Sequence, residues 1–142
     1  MTYKILVVDD DRIMAQFLAD LLGLLGHTVV VAAGPRAALR SLSAAVPDVI
    51  FMDVNMPGVD GLEVCRYLRR EPTTVGLPIV IVSAADDQAH REAAYRAGAD
   101  FFVAKPAMID DLDDALKRVM PRKGRVPPPG QTSATQPKSM GK

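Results

Sequence analysis

The residues with chemistry to offer stand where short apolar runs stop. Asp9, Asp10 and Asp11 follow the run 5–8, and Asp53 follows 49–52 and leads into Val54-Asn55-Met56-Pro57-Gly58. Ser83-Ala84 follows 79–82, and Lys105-Pro106 comes just past 101–103. If a fold gathers these run ends into one cleft, the carboxylates of Asp9, Asp10 and Asp53 repel one another, each pair by roughly 4 kcal/mol at 4 Å in an effective dielectric of 20. A divalent cation relieves that repulsion, and oxygen donors with no His or Cys beside them select Mg2+ over zinc or copper. Lys105 adds a fixed positive charge and Ser83 a hydroxyl donor. With the metal they could hold the three equatorial oxygens of a phosphoryl group in transfer, and a carboxylate oxygen of Asp53 is the nucleophile.

That gathering needs elements with one geometry. The runs 5–8, 29–33, 49–52, 79–82 and 101–103 are apolar without in/out alternation, as strands are when both faces of a parallel sheet are covered. Between them lie helical patterns over 12–25, 35–44, 62–70, 87–97 and 109–120. In the first, Ile13, Phe17 and Leu21 and also Met14, Leu18 and Leu22 recur at helical spacing, which predicts core packing, with Asp11 as the N-cap. Pro35 sits at a favoured first-turn position of the second, and Gly26 and Gly98 stand where helices end. Five strand-then-helix units with short connections predict an α/β, doubly wound, five-stranded parallel sheet with five helices. Sites on such a sheet form at the carboxyl ends of the strands.

The stretches ILVVDDDRIM, DVIFMDVNMPGVDGLEVCRYLR, PIVIVSA and GADFFVAKP, in that order and each in its strand context, resemble the receiver (phosphoacceptor) domain of two-component response regulators over roughly residues 3–120. The resemblance implies a flavodoxin-like strand order of 2-1-3-4-5. It makes Asp53 the phosphoacceptor, Asp10 a direct metal ligand and Asp9 a ligand acting mainly through water. Asn55 would offer its main-chain carbonyl to the metal, Ser83 would be the switch hydroxyl, and Phe102, three before Lys105, the aromatic switch that turns inward. It further implies a cis bond before Pro106. The family often has Tyr at the aromatic position and a bulky residue after Lys-Pro, where this chain has Phe102 and Ala107.

The expected function is therefore a signalling switch, not an enzyme acting on other substrates. A histidine kinase or phosphotransfer protein supplies the phosphoryl group, and the surface of the fourth helix, fifth strand and fifth helix presents the change to a partner or output domain. A phosphorylation-dependent homodimer is a further expectation. A hydrolase with an aspartyl-phosphate intermediate generally carries a second Asp two residues after the nucleophile, where Asn55 stands here. The complete set of Asp9, Asp10, Asp53, Ser83 and Lys105 argues against a phosphorylation-independent interaction module, and no Gly-rich loop for a nucleotide follows the first run.

Charge is divided unevenly. Residues 1–120 hold 12 basic and 17 acidic residues, a net of −5, while residues 121–142 hold five basic and none acidic. An acidic body argues against nucleic acid on the globular part. The segment 121–142 is Pro-rich and lacks apolar periodicity, which predicts a disordered basic tail or linker after a receiver domain of residues 1–120. No apolar stretch approaches the ~18 residues of a membrane span, and no signal peptide is visible, so the cytoplasm is the expected compartment. His27 and His90 read as surface residues and the single Cys65 as a small buried hydrophobe.

Overall fold

The apolar runs pair side by side in one direction. In the computed structural model, which describes residues 1–56 and 58–120, the chain forms β1 (Lys4–Val8), α1 (Arg12–Leu24), β2 (Thr28–Ala32), α2 (Pro35–Ala44), β3 (Val49–Met52), β4 (Asn55–Met56), β5 (Val59–Asp60), α3 (Gly61–Arg70), β6 (Ile79–Ser83), α4 (Gln88–Ala97), β7 (Phe101–Ala104) and α5 (Ile109–Val119). β1, β2, β3, β6 and β7 make one parallel sheet in the order β2-β1-β3-β6-β7. Counting only the strands of that sheet, this is the expected 2-1-3-4-5 order. β4 and β5 form a small antiparallel hairpin just after β3, where sequence alone indicated a turn. The expected tail at residues 121–142 lies outside the described residues.

Successive side chains of a strand point to opposite faces, so each inner strand feeds two cores. Leu6, Val8, Ile50, Met52, Ile79 and Ile81 pack with Ala38 and Leu42 of α2, Val64, Cys65 and Leu68 of α3, and Ala94 and Ala97 of α4. Ile5, Val7, Val49, Phe51, Val80 and Val82 pack on the other side with Ala15, Leu18 and Leu22 of α1 and Leu112, Ala115 and Leu116 of α5. Fully burying one such side chain contributes about 1.5–3 kcal/mol, so these two layers hold the carboxyl ends of the strands in register.

Two expectations need correction. β2 has neighbours on one side only, and Val30 and Val31 are exposed at 53% and 40%, so this apolar run is not covered on both faces. In α1 the row of Ile13 and Phe17 does not enter the core, and Ile13 is 85% exposed. At 3.6 residues per turn, Ile13, Phe17 and Leu24 lie about 100–140° around the helix from Leu18, which faces the sheet. The core stripe runs through Ala15, Leu18, Ala19 and Leu22 instead. Among the described residues, no helix is long and apolar enough to cross a membrane.

Candidate functional site

β1 and β3 are neighbours, and their parallel register puts Val8 beside Met52, so the residues that follow both strands emerge together. Carboxylate oxygens of Asp9, Asp10 and Asp53 lie within 4.8 Å of one another. Asp9 and Asp53 are buried, whereas Asp10 is exposed toward the entrance. A cleft of about 590 Å³, lined by Asp10, Val54, Asn55, Met56, Gly58, Val59 and Asp60, opens beside them.

Each buried carboxylate has one oxygen held by the backbone. Asp9 Oδ1 accepts from the Asp11 N–H at 2.9 Å and Asp53 Oδ1 from the Asn55 N–H at 3.1 Å. The other oxygens face Lys105, whose Nζ is 3.1 Å from Asp9 Oδ2 and 3.4 Å from Asp53 Oδ2. Burial pushes the Asp53 carboxyl above its ordinary range, with the Asn55 N–H and the Lys105 charge pulling it back in part. Burial alone would lower Lys105, but its hydrogen bond to Asp9 and the charges of Asp53 and Asp9 outweigh that, and its pKa is raised. Lys105 is therefore an ammonium at neutral pH. Two facing carboxylate oxygens on one cation leave an excess of negative charge at the mouth of the cleft, and hard oxygen donors this close suit a divalent ion such as Mg2+.

Asp11 stays out of this cluster. Its Oδ1 accepts from the Ile13 and Met14 N–H groups and caps α1, as expected. On the far side of β3, the next strand, β6, ends at Ser83, which is fully buried and whose Oγ accepts from the Ala85 N–H at 3.2 Å. The Lys105–Pro106 bond is cis. The loop after Asp53 is closed by the Gly61 N–H, which donates to the Val54 carbonyl at 3.0 Å. A Cβ at Gly61 would stand 2.5 Å from Val54 Cα and 2.8 Å from the Asp53 carbonyl oxygen. Both are backbone atoms that cannot step aside, so only glycine lets α3 start this close beneath Asp53.

Phe102 does not join the acidic cluster. It is 4% exposed and packed in the core layer on the α4 side, so in this structure the ring lies inward. The Arg91 guanidinium covers it, with Cζ 4.7 Å from the ring centroid. Ala107 is fully buried against α5. This contact of Arg91 was not legible in the sequence, because an arginine on a polar helix reads as a solvated charge.

The response regulator receiver domain family matches residues 5–117. Response regulator MprA of Mycolicibacterium vanbaalenii is 39% identical over 122 residues, 86% of this chain and 52% of that protein. The chain thus spans about half the length of the curated relatives it matches. Among solved structures, chemotaxis protein CheY4 of Vibrio cholerae superposes with a TM-score of 0.79 at 30% identity, covering 84% of this chain and 100% of that one. NtrX of Brucella abortus superposes at 0.78 with 29% identity, over 84% of this chain and 28% of its own.

Proposed function

The chain belongs to the response regulator receiver domain family, and from that premise we propose that Asp53 accepts a phosphoryl group from the phosphohistidine of a histidine kinase or phosphotransfer protein. The observation that carries this reading is Asp53 itself: a buried carboxylate with Oδ1 tied to the Asn55 N–H and Oδ2 turned to Lys105. One oxygen is oriented by the backbone and the other faces the lysine ammonium.

In the transfer, the Asp53 oxygen forms a bond to phosphorus as the bond from phosphorus to the donor's imidazole nitrogen breaks, and the imidazole keeps the electron pair. Lys105, already between Asp9 and Asp53, pairs with a phosphoryl oxygen as negative charge accumulates there. Ser83 uses an acceptor position of Oγ for the Ala85 N–H, which leaves its O–H as a donor to a second phosphoryl oxygen. Mg2+, held by Asp9, Asp10, Asp53 and the main-chain carbonyl of Asn55, would supply charge neutralisation for the transferring group when bound. Water later attacks phosphorus and restores the carboxylate, so the chain catalyses only its own phosphorylation and dephosphorylation.

The added charge of about −1.5 to −2 draws the Ser83 hydroxyl toward Asp53 and shifts the surface of α4, β7 and α5. A downstream partner or an output domain reads that surface, and a kinase partner of this kind implies the cytoplasm. The test is to incubate the protein with Mg2+ and acetyl phosphate and weigh it intact. The parent gains one phosphoryl group, chelation of the metal prevents the gain, and Asp53→Ala gains none. A parent that stays unmodified, or an Asp53→Ala chain that is still modified, overturns the assignment.

A further inference from the structure

α4 has little apolar grip on the rest of the fold, since Ala94 and Ala97 are its only buried residues. What holds its first half is Arg91. Its Nε donates to the Asp86 carbonyl at 2.9 Å, and its guanidinium lies over Phe102 with Cζ 4.7 Å from the ring centroid. Asp86 belongs to the loop between β6 and α4, three residues beyond Ser83, and the Ser83 Oγ is bonded to the Ala85 N–H of that same loop. A continuous path of contacts therefore runs from the Ser83 hydroxyl through the loop backbone to Arg91, and from Arg91 to the Phe102 ring.

We propose that Arg91 is a positioning residue that latches Phe102 to the β6–α4 loop, so that movement of Ser83 is carried to the α4–β7 face by the guanidinium. The proposal rests on Asp53 being the phosphoacceptor, as argued above. When the Ser83 hydroxyl is drawn toward the phosphoryl group, the Ala85–Asp86 backbone moves with it and the Asp86 carbonyl shifts relative to β7. Arg91 can then keep its carbonyl or its ring, but not both. A cleft of about 400 Å³ lies beside the ring, bounded by Arg91, Phe102, Lys105, Asp111 and Asp114. Asp111 Oδ2 already accepts from the Met108 N–H and Asp114 Oδ2 pairs with Arg118, so a displaced guanidinium would share these carboxylates or take their second oxygens. Because Phe102 is already buried and carries no hydroxyl, the outgoing change is the uncovering of its face by Arg91 rather than the inward turn of an aromatic ring. A planar guanidinium can donate to a carbonyl and stack on a ring at once, which a lysine ammonium cannot do.

The experiment labels the chain with 4-fluorophenylalanine, which enters only four positions, and assigns the Phe102 fluorine line with Phe102→Leu. Spectra are recorded before and after phosphorylation by acetyl phosphate with Mg2+, and uptake is measured by intact mass. In the parent the Phe102 line moves on phosphorylation. In Arg91→Met the chain takes up phosphoryl to the same extent, but the Phe102 line is displaced from the start and its phosphorylation-dependent movement falls to less than half the parent's. Arg91→Lys recovers only part of that movement. A thermal melt of each variant shows that it remains folded. If phosphorylated parent and phosphorylated Arg91→Met show the same movement, or if the parent's line does not move at all, Arg91 is not the latch and the phosphoacceptor reading survives. If the parent gains no phosphoryl mass, the functional reading fails and the latch falls with it.

Discussion

The two ends of the parallel sheet are built on opposite principles. At the amino end, polar groups are closed onto one another. Arg69, at the last turn of α3, donates to the carbonyls of Gly98 at 2.9 Å, Leu77 at 2.6 Å and Val75 at 3.1 Å, and to Asp100 Oδ2 at 2.8 Å. The same Asp100 oxygen accepts from the Ile79 N–H at the start of β6. The His27 Nδ1 accepts from the Tyr3 N–H, and Asp48 accepts from the Lys4 N–H. Gly98, with φ at 113°, is the left-handed end of α4, and a Cβ there would meet Arg69 Cγ at 2.6 Å, so the bracket also presses on the helix terminus. At the carboxyl end, Asp9 and Asp53 share the Lys105 ammonium, and Asp10, beside them, lines an open cleft. One end is satisfied within the chain; at the other, three carboxylates stand against a single paired cation. α4 runs between them, bracketed by Arg69 at its end and latched by Arg91 near its start.

Four substitutions break or sharpen this contrast, in decreasing order of effect. Lys105→Met removes the only cation placed against Asp9 and Asp53 among the described residues, and phosphoryl uptake from acetyl phosphate slows by about 100- to 1000-fold. The intact-mass time course measures it, and a loss of less than about tenfold would mean that charge at the site is compensated elsewhere. Arg69→Ala leaves several carbonyls without their donor and Asp100 without its cation, and costs about 3 kcal/mol in urea unfolding, with the rate of phosphoryl uptake unchanged. A cost below about 1 kcal/mol would show that the amino end is not closed in the way described.

The third change has the opposite sign. Asp53→Asn, measured without Mg2+, relieves repulsion with Asp9 and Asp10 and raises stability by about 1 kcal/mol. A destabilised variant would mean that the carboxyl end is as internally satisfied as the amino end. The smallest effect concerns His27, whose pKa is lowered by burial and then by the nearby N-terminal ammonium. The unfolded chain binds this proton more readily than the folded one, so the His27 contribution is present at pH 8 and declines as pH falls through the ordinary histidine range near 6.5. Urea midpoints of the parent and His27→Asn at pH 8 and 5.5 should therefore converge on the acid side. Parallel midpoints would remove the Tyr3–His27 link from the amino-end set.

Much of the site was legible because its members lie at element ends with a marked change of character. Asp9, Asp53, Ser83 and Lys105 each terminate an apolar run, and parallel pairing of those runs dictates that they meet. Asp11 was separable from Asp9 and Asp10 because a helical pattern starts just after it. Arg69 and Arg91 were not legible. Their partners are largely main-chain carbonyls and an aromatic face, and a backbone carbonyl carries no side-chain signature in a sequence. The exposed Ile13 and Phe17 misled for a different reason: apolar spacing identifies a helical stripe, but two stripes fit the same helix, and only docking on the sheet selects one.

The sequence by itself determined the alternation of strand and helix, the parallel character of the sheet, and the residues brought to its carboxyl edge, because apolar run length and the polar residue that ends each run are local properties. Tertiary structure alone decided which oxygen of Asp53 is tied to the backbone and which faces Lys105. It also decided that Phe102 lies buried under Arg91, and that Gly61 must lack a side chain. Those facts depend on distances of a few ångströms between elements remote in the chain, and such distances exist only once both core layers have packed.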